Sequence, residues 1–213
     1  HPCRWKYYIM EEKRPGEFLP VEENERGTYI FNSKDLCMIE HIPELVEAGI
    51  DSFKIEGRMK TALYVAVVSR TYRKALDDYF EDPALYQKNI PYYQEEIAKC
   101  TYRQFTTGFF FGPTNHDSQI YDNNTYIKGY VYLGMIERVE EDGTGWFEQK
   151  NKFSVGEQVE IMKPSGENIV TKVLALYDDK GTAVGSCPHP AVQIRVQVEC
   201  GLAAFDIIRR MVE

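Results

Sequence analysis

The residues best suited to chemistry lie in one short stretch, Phe53-Lys-Ile-Glu-Gly-Arg-Met-Lys60. Lys54 and Glu56 are two positions apart. On an extended backbone they share one face, and Phe53 and Ile55 share the other. Gly57 permits a tight turn. Arg58 and Lys60 then fall at the start of a helix, where backbone N–H groups without intrahelical partners attract anions. In parallel α/β folds such strand-to-helix junctions carry active sites. Lys54, Glu56 and Arg58 are therefore the candidate catalytic residues. Arg58 and Lys60 are the candidate substrate contacts, suited to a carboxylate or a phosphate. The same residue types also fit a plainer role, in which a Lys54–Glu56 or Glu56–Arg58 ion pair only shapes the turn.

Other catalytic patterns are missing. The chain has no His-Glu-x-x-His pair, no Gly-x-Ser-x-Gly elbow and no Gly-x-x-x-x-Gly-Lys loop. Its histidines, His1, His41, His116 and His189, are scattered and name no nucleophile–base pair. The five cysteines are odd in number and contain no Cys-x-x-Cys, which speaks against a secreted disulfide framework.

The elements that must position these residues read as two halves. In the first, Thr28–Phe31 is a short β-prone run and a helix is expected from Pro43 to Ala48, with Gly49 ending it. Asp51–Ile55 reads as a buried strand. A long helix is expected from about Thr61 to Phe80, with Tyr64, Val68, Tyr72, Ala75 and Tyr79 on one face. Asp82 and Pro83 start another helix, which Pro91 should kink or interrupt. Strand alternating with helix implies parallel strands joined by crossovers. The link from Cys100 to Asn124 carries four phenylalanines between Phe105 and Phe111, and their burial between the halves is the expectation. The second half alternates in period two, most cleanly at Val192, Ile194, Val196 and Val198. With turns at Asp142-Gly143, Lys163–Gly166 and Asp178–Gly181, it predicts a small antiparallel β-barrel. The expected division is 1–99, 100–124 and 125–213.

Composition bounds the function. Of 213 residues, 43% are hydrophobic and 27% charged, enough for a core. The net charge of −8 excludes indiscriminate DNA coating. No apolar run is long enough for a membrane span, so the cytoplasm is the expected compartment. The opening His1-Pro2-Cys3 resembles no domain start, and a piece of a longer protein is expected. One non-catalytic reading makes the β half an RNA- or protein-binding module. Its face would carry Lys150, Lys152, Lys163 and Lys172 with Trp146 and Phe147.

Several segments together carry a resemblance: Cys3-Arg-Trp-Lys-Tyr7, Glu11–Glu17, Asn32-Ser-Lys-Asp-Leu-Cys-Met-Ile39, Ile42-Pro-Glu-Leu45, Lys54-Ile-Glu-Gly-Arg-Met-Lys60, Tyr64-Val-Ala66 and Tyr72-Arg73. The chain resembles the U32 peptidases, the collagenase-like family, and within it the branch that hydroxylates wobble uridine of tRNA to 5-hydroxyuridine. The resemblance implies a TIM-barrel-like catalytic domain, of which residues 1–99 would be the C-terminal portion, followed by a small β-barrel at 125–213. It implies tRNA as partner, prephenate as co-substrate and an iron–sulfur cluster on four cysteines. Cys37 matches one of them, Cys3 lies in the segment of another, and two would lie upstream, so this piece alone is expected to be inactive. Thiolates suit such a cluster. Arg58 and Lys60 would suit the carboxylates of prephenate, a fork and a point charge respectively. The rival implied by the family name is a peptidase or other hydrolase acting on a peptide. The residues supply no nucleophile or zinc set for it.

Overall fold

In the computed structural model, residues 7–13, 15–16, 18–24, 27–29, 33–58, 60–114, 120, 126–187 and 189–212 are described. The chain divides into two compact units. One is His1–Glu40 with Tyr102–Ile127, the other His41–Thr101 with Lys128–Glu213.

In chain order the first elements are β1 (Tyr8–Ile9), β2 (Leu19–Pro20), β3 (Glu22–Asn24), β4 (Gly27–Tyr29) and β5 (Asp35–Leu36). Three helices follow, α1 (Ile42–Glu47), α2 (Ala62–Glu81) and α3 (Pro83–Ala98). Then come β6 (Thr101–Tyr102), β7 (Phe105–Thr106) and β8 (Ile127–Lys128). The remaining strands are β9 (Tyr130–Met135), β10 (Arg138–Val139), β11 (Gly145–Glu148), β12 (Phe153–Ser154), β13 (Gln158–Met162), β14 (Ile169–Tyr177), β15 (Ala183–Val184), β16 (Ser186–Cys187), β17 (Gln193–Val198) and β18 (Ile207–Met211).

The first unit is built from short pieces. The β-prone run at Thr28 pairs locally, β4 returning antiparallel on β3, and residues 30–31 lie outside the described ones. β5 and β7 pair in parallel, Asp35 with Phe105 and Leu36 with Thr106. The expected burial of the aromatic link is not found, since Phe109, Phe110 and Phe111 are exposed.

In the second unit the helices begin where the sequence predicts. The Thr61 hydroxyl accepts the Tyr64 N–H and caps α2. Asp82 ends α2 and caps α3 by accepting the Ala84 N–H at 2.9 Å, with Pro83 in the first turn, where its missing N–H costs nothing. Pro91 lies inside α3 without ending it. The buried stripe of α2 is rotated from the expected one. It runs through Leu63, Val67, Val68, Thr71, Ala75 and Asp78, and Tyr64, Tyr72 and Tyr79 are half-buried at its margin. Asp51–Ile55 is a correction. It forms no strand and is mostly exposed, so the strand-helix-strand order that suggested part of a TIM-like barrel is not present there.

The β reading holds as one large antiparallel sheet, ordered β10-β11-β17-β14-β13-β18-β9 with β15 on β14. Its ends come together, since the Lys150 N–H past β11 donates to the Leu133 carbonyl of β9 at 2.8 Å. Gly134 is required at that approach, because a Cβ there would lie 2.1 Å from the Phe147 ring. Alternation on β17 places Ile194, Val196 and Val198 in the core with Leu133, Phe147, Ile161 and Ile208. On β14 the alternation is broken by a register shift between Val173 and Ala175, which sends Leu176 inward after Val173.

The helices join the sheet through two layers. Leu63, Val67 and Val68 of α2 pack with Cys100 and with Met162 of β13 and Ile207 of β18. Beside them lies a buried charge network. Arg209 of β18, wholly buried, sends Nη2 to Glu96 of α3 at 3.1 and 3.2 Å and to Glu160 of β13 at 3.0 Å, and its Nε reaches Glu160 at 3.4 Å. Lys99 lies 2.8 Å from Glu96 and 3.5 Å from Glu160. Asn168 donates to Glu96 at 2.8 Å and accepts from Arg70 of α2 at 2.6 Å. The Tyr130 ring lies under both Arg209 and Lys99, at 5.1 and 5.8 Å. Burial pushes the Glu96 carboxyl up, but Arg209, Lys99 and Asn168 outweigh it and hold it below its ordinary value.

Candidate functional site

The segment Lys54–Lys60 leads into α2 as the sequence suggests, although from an irregular strand-free stretch. Lys54 Nζ and Glu56 Oε1 are 2.7 Å apart, with both side chains 71% exposed or more. The hydrogen bond to Glu56 raises the Lys54 pKa above its ordinary value. Gly57 matters here for space rather than for φ. A Cβ there would lie 2.9 Å from Val65 Cγ2, so the turn presses against the first turn of α2. The turn closes with the Lys60 N–H donating to the Gly57 carbonyl at 2.9 Å. Arg58 is exposed on it. Lys60 is half-buried, its ammonium 4.8 Å from the centre of the Tyr64 ring. Lys54 and Glu56 thus meet as a pair, and Arg58 and Lys60 sit just ahead of a capped helix.

Phe53, the first residue of the segment, lines a cleft of about 360 Å³ with Val46, Ile50, Asp51, Arg73 and Phe80. Arg73 there is held by Asp77 at 2.5 Å. The cleft is mixed in character, and among the described residues neither Lys54 nor Glu56 lines it.

The cysteine candidates lie elsewhere. Cys3 falls outside the described residues. Cys37, half-buried in the first unit, is fixed by its N–H donating to the Thr106 carbonyl at 2.9 Å. Its neighbours Leu36 and Thr106 line a cavity of about 530 Å³ with Phe109 and Phe110. Among the described residues no three His, Cys, Asp or Glu side chains gather as a metal site. Cys187 is inert core, its thiol pushed up to about 11 by burial.

The face expected on the β half does not assemble. Phe147 is buried in the core and Lys163 is held by Asp206 at 2.6 Å. Lys150 pairs with Glu148. Trp146 is instead one rung of a row that crosses four strands. Arg138 pairs with it from β10 and Arg195 from β17, and Tyr177 of β14 is paired with Arg195. The guanidiniums of Arg138 and Arg195 lie 4.5 and 5.5 Å from the Trp146 ring, which occupies the indole with cations rather than leaving it for a base. Both this row and the Arg209 network escaped sequence reasoning. For the network one signal existed, an arginine inside the apolar strand Ile207-Ile-Arg-Arg-Met211.

No described helix is long and apolar enough to cross a membrane. Comparison with known proteins adds the following. The chain is 31% identical over 211 residues to tRNA hydroxylation protein P1 of Bacillus subtilis, covering 98% of this chain and 49% of that protein. It is 34% identical over 183 residues to tRNA hydroxylation protein P of Escherichia coli, covering 85% and 39%. It is 28% identical over 173 residues to a collagenase of Porphyromonas gingivalis, covering 80% and 40%. The chain therefore spans about half the length of these relatives or less. A solved C-terminal domain of a Geobacillus thermoleovorans U32 peptidase matches 38% of this chain and 99% of its own, with 22% identity and a TM-score of 0.35. Residues 1–120 match Peptidase family U32 and residues 128–209 match the Peptidase family U32 C-terminal domain, so the chain belongs to the U32 family.

Proposed function

We propose that this chain is part of an enzyme that hydroxylates the wobble uridine of tRNA to 5-hydroxyuridine. One observation carries the reading. The relatives matched along 98% and 85% of the chain are named tRNA hydroxylation proteins. In this reading Arg58 and Lys60 contact the carboxylates of prephenate, the co-substrate. Arg58 is exposed and can grip a carboxylate with two parallel N–H bonds. Lys60, steered by Tyr64, adds a point charge beside the first turn of α2, whose amide dipoles favour an anion. Lys54 and Glu56 hold the approach to the turn as an exposed ion pair. Cys3 and Cys37 are the thiols that the same reading gives to an iron–sulfur cluster. The described residues supply one of these thiols, Cys37, which alone does not make a cluster site.

The test is nucleoside mass spectrometry of tRNA from a deletion strain, complemented with the full-length protein or its Arg58→Ala variant. The reading expects 5-hydroxyuridine to vanish on deletion, to return with the unaltered protein and to stay absent with the variant. Normal modification in the deletion strain would sink it. Gelatin cleavage by the purified full-length protein would then favour the peptidase reading, which the similarity to a collagenase motivates.

A further inference from the structure

We infer that Arg209, on the far strand β18, is a positioning residue for the Arg58–Lys60 turn, so that the C-terminal sheet holds the candidate site in place. The inference rests on the reading of that turn as a substrate contact, and its structural arm is measured separately.

The path is short and continuous. The turn presses on α2 where Gly57 meets Val65 and where Lys60 lies over Tyr64. One residue further back, Leu63 is buried against Met162 of β13 and Ile207 of β18, with Tyr64 packed on the same cluster. The first turn of α2 therefore rests on the sheet itself. What fixes the rotation of α2 and α3 over the sheet is polar. Arg70, about two turns along α2, ties to Asn168 at 2.6 Å and reaches Glu96 at 3.8 Å. Glu96 of α3 and Glu160 of β13 both end on Arg209. Apolar contacts alone tolerate sliding, whereas a planar guanidinium that serves two carboxylates at once has one arrangement. Lys99 cannot substitute, because it already lies on the same two carboxylates. Tyr130 closes the remaining side of the cation.

Arg209→Lys keeps the charge and removes the fork, which makes it the informative variant. In the full-length protein, amide hydrogen exchange is followed by mass spectrometry. Peptides covering residues 54–68 are expected to exchange roughly tenfold faster, together with those of β13 and β18. The prephenate concentration for half-maximal 5-hydroxyuridine formation should rise by roughly tenfold while the maximal rate changes little. Arg210→Lys, the neighbour that pairs with Glu157, is the control and should leave residues 54–68 unchanged. Should Arg209→Lys fold poorly, Asn168→Ala removes the Arg70–Glu96 bridge more gently and should show the same pattern at smaller amplitude. Faster exchange confined to the sheet overturns the inference. So does faster exchange at 54–68 with an unchanged half-saturating prephenate concentration, since the effect is then structural only. Failure of the site reading itself appears elsewhere, as normal modification by Arg58→Ala, a variant that touches no part of the network.

Discussion

Two ion pairs of similar length, one on the approach to α2 and one between β13 and β18 of the sheet, have opposite worth. Lys54 and Glu56 meet at 2.7 Å in open solvent. Arg209 and Glu160 meet at 3.0 Å with the arginine wholly buried. In the first, water solvates each charge as well as its partner does, and side-chain entropy opposes the contact. In the second, each charge has already lost its water, so the pair stabilises little by forming but costs much if one member is removed. Distance alone does not separate them. The difference assigns the exposed pair to chemistry or to nothing, and the buried one to architecture.

The largest effect should come from breaking the buried side. Arg209→Met leaves Glu96 and Glu160 facing each other with Lys99 as their near cation. Removing one partner of such a buried set costs about 3–5 kcal/mol, readable by urea unfolding at pH 7. The loss should shrink as pH falls toward 5, because neutralising Glu96 relieves the variant. The unaltered protein behaves in the reverse sense. The Glu96 carboxyl is held below its ordinary 4.5 by Arg209 and its neighbours despite burial, so its contribution is present above that value and is lost as pH drops through the lower folded value. A destabilisation independent of pH would show that the guanidinium packs rather than pairs.

A second buried acid tests whether the contrast is general. Asp78 of α2 accepts from Tyr93 at 2.5 Å, from Asn89 at 2.8 Å and from Lys74 at 3.0 Å. Burial pushes its carboxyl up, yet those three donors hold it below its ordinary value. Burial, and then the same carboxylate, push the Tyr93 hydroxyl well above its ordinary range. Asp78→Asn keeps the shape and removes the charge, and should cost about 1–3 kcal/mol. It should also flatten the loss of stability on acidification below the ordinary carboxylate range, since a depressed carboxyl no longer has to be protonated. An unchanged acid limb in thermal scans from pH 5 to 3 would mean that Asp78 titrates normally in the folded chain.

What the sequence made legible follows from how local each signal is. Thr61, Asp82 and Pro83 act within three residues of themselves, so helix starts were readable. Alternation on β17 needs only a dry side and a wet side. The stretch Asp51–Ile55 alternates too, but a strand exists only when a neighbour accepts its hydrogen bonds, and no neighbour is written in the stretch itself. Arg58 and Lys60 could be placed before α2, because a helix start fixes what precedes it. The Arg209 network could not, because its bonds join residues 113 and 49 apart in sequence. Phe147 and Trp146 are adjacent on β11 and cannot share the expected face, because successive strand residues point to opposite ones.

A smaller effect is expected at the join between the two regions. Gly57→Ala adds a methyl 2.9 Å from Val65 Cγ2. Val65 is itself exposed and can turn away, so the cost should be roughly 1 kcal/mol. Its use lies in the site. If the turn must press on α2 to present Arg58, tRNA modification should fall further than stability does, and equal small losses would remove that requirement.

The smallest effect belongs to the exposed pair. Lys54→Ala removes a side chain that is 84% exposed and whose charge partner, Glu56, stays solvated afterwards. The melting temperature should not move at low or high salt, because screening at physiological ionic strength already weakens an exposed pair. Modification of tRNA by the full-length protein should nonetheless drop if the pair moves a proton or orients the turn. An intact melting curve with intact modification would reduce Lys54 and Glu56 to surface residues and leave Arg58 and Lys60 as the whole of the candidate site. A lowered melting temperature would break the comparison itself, since an exposed pair would then be contributing what only a desolvated one should.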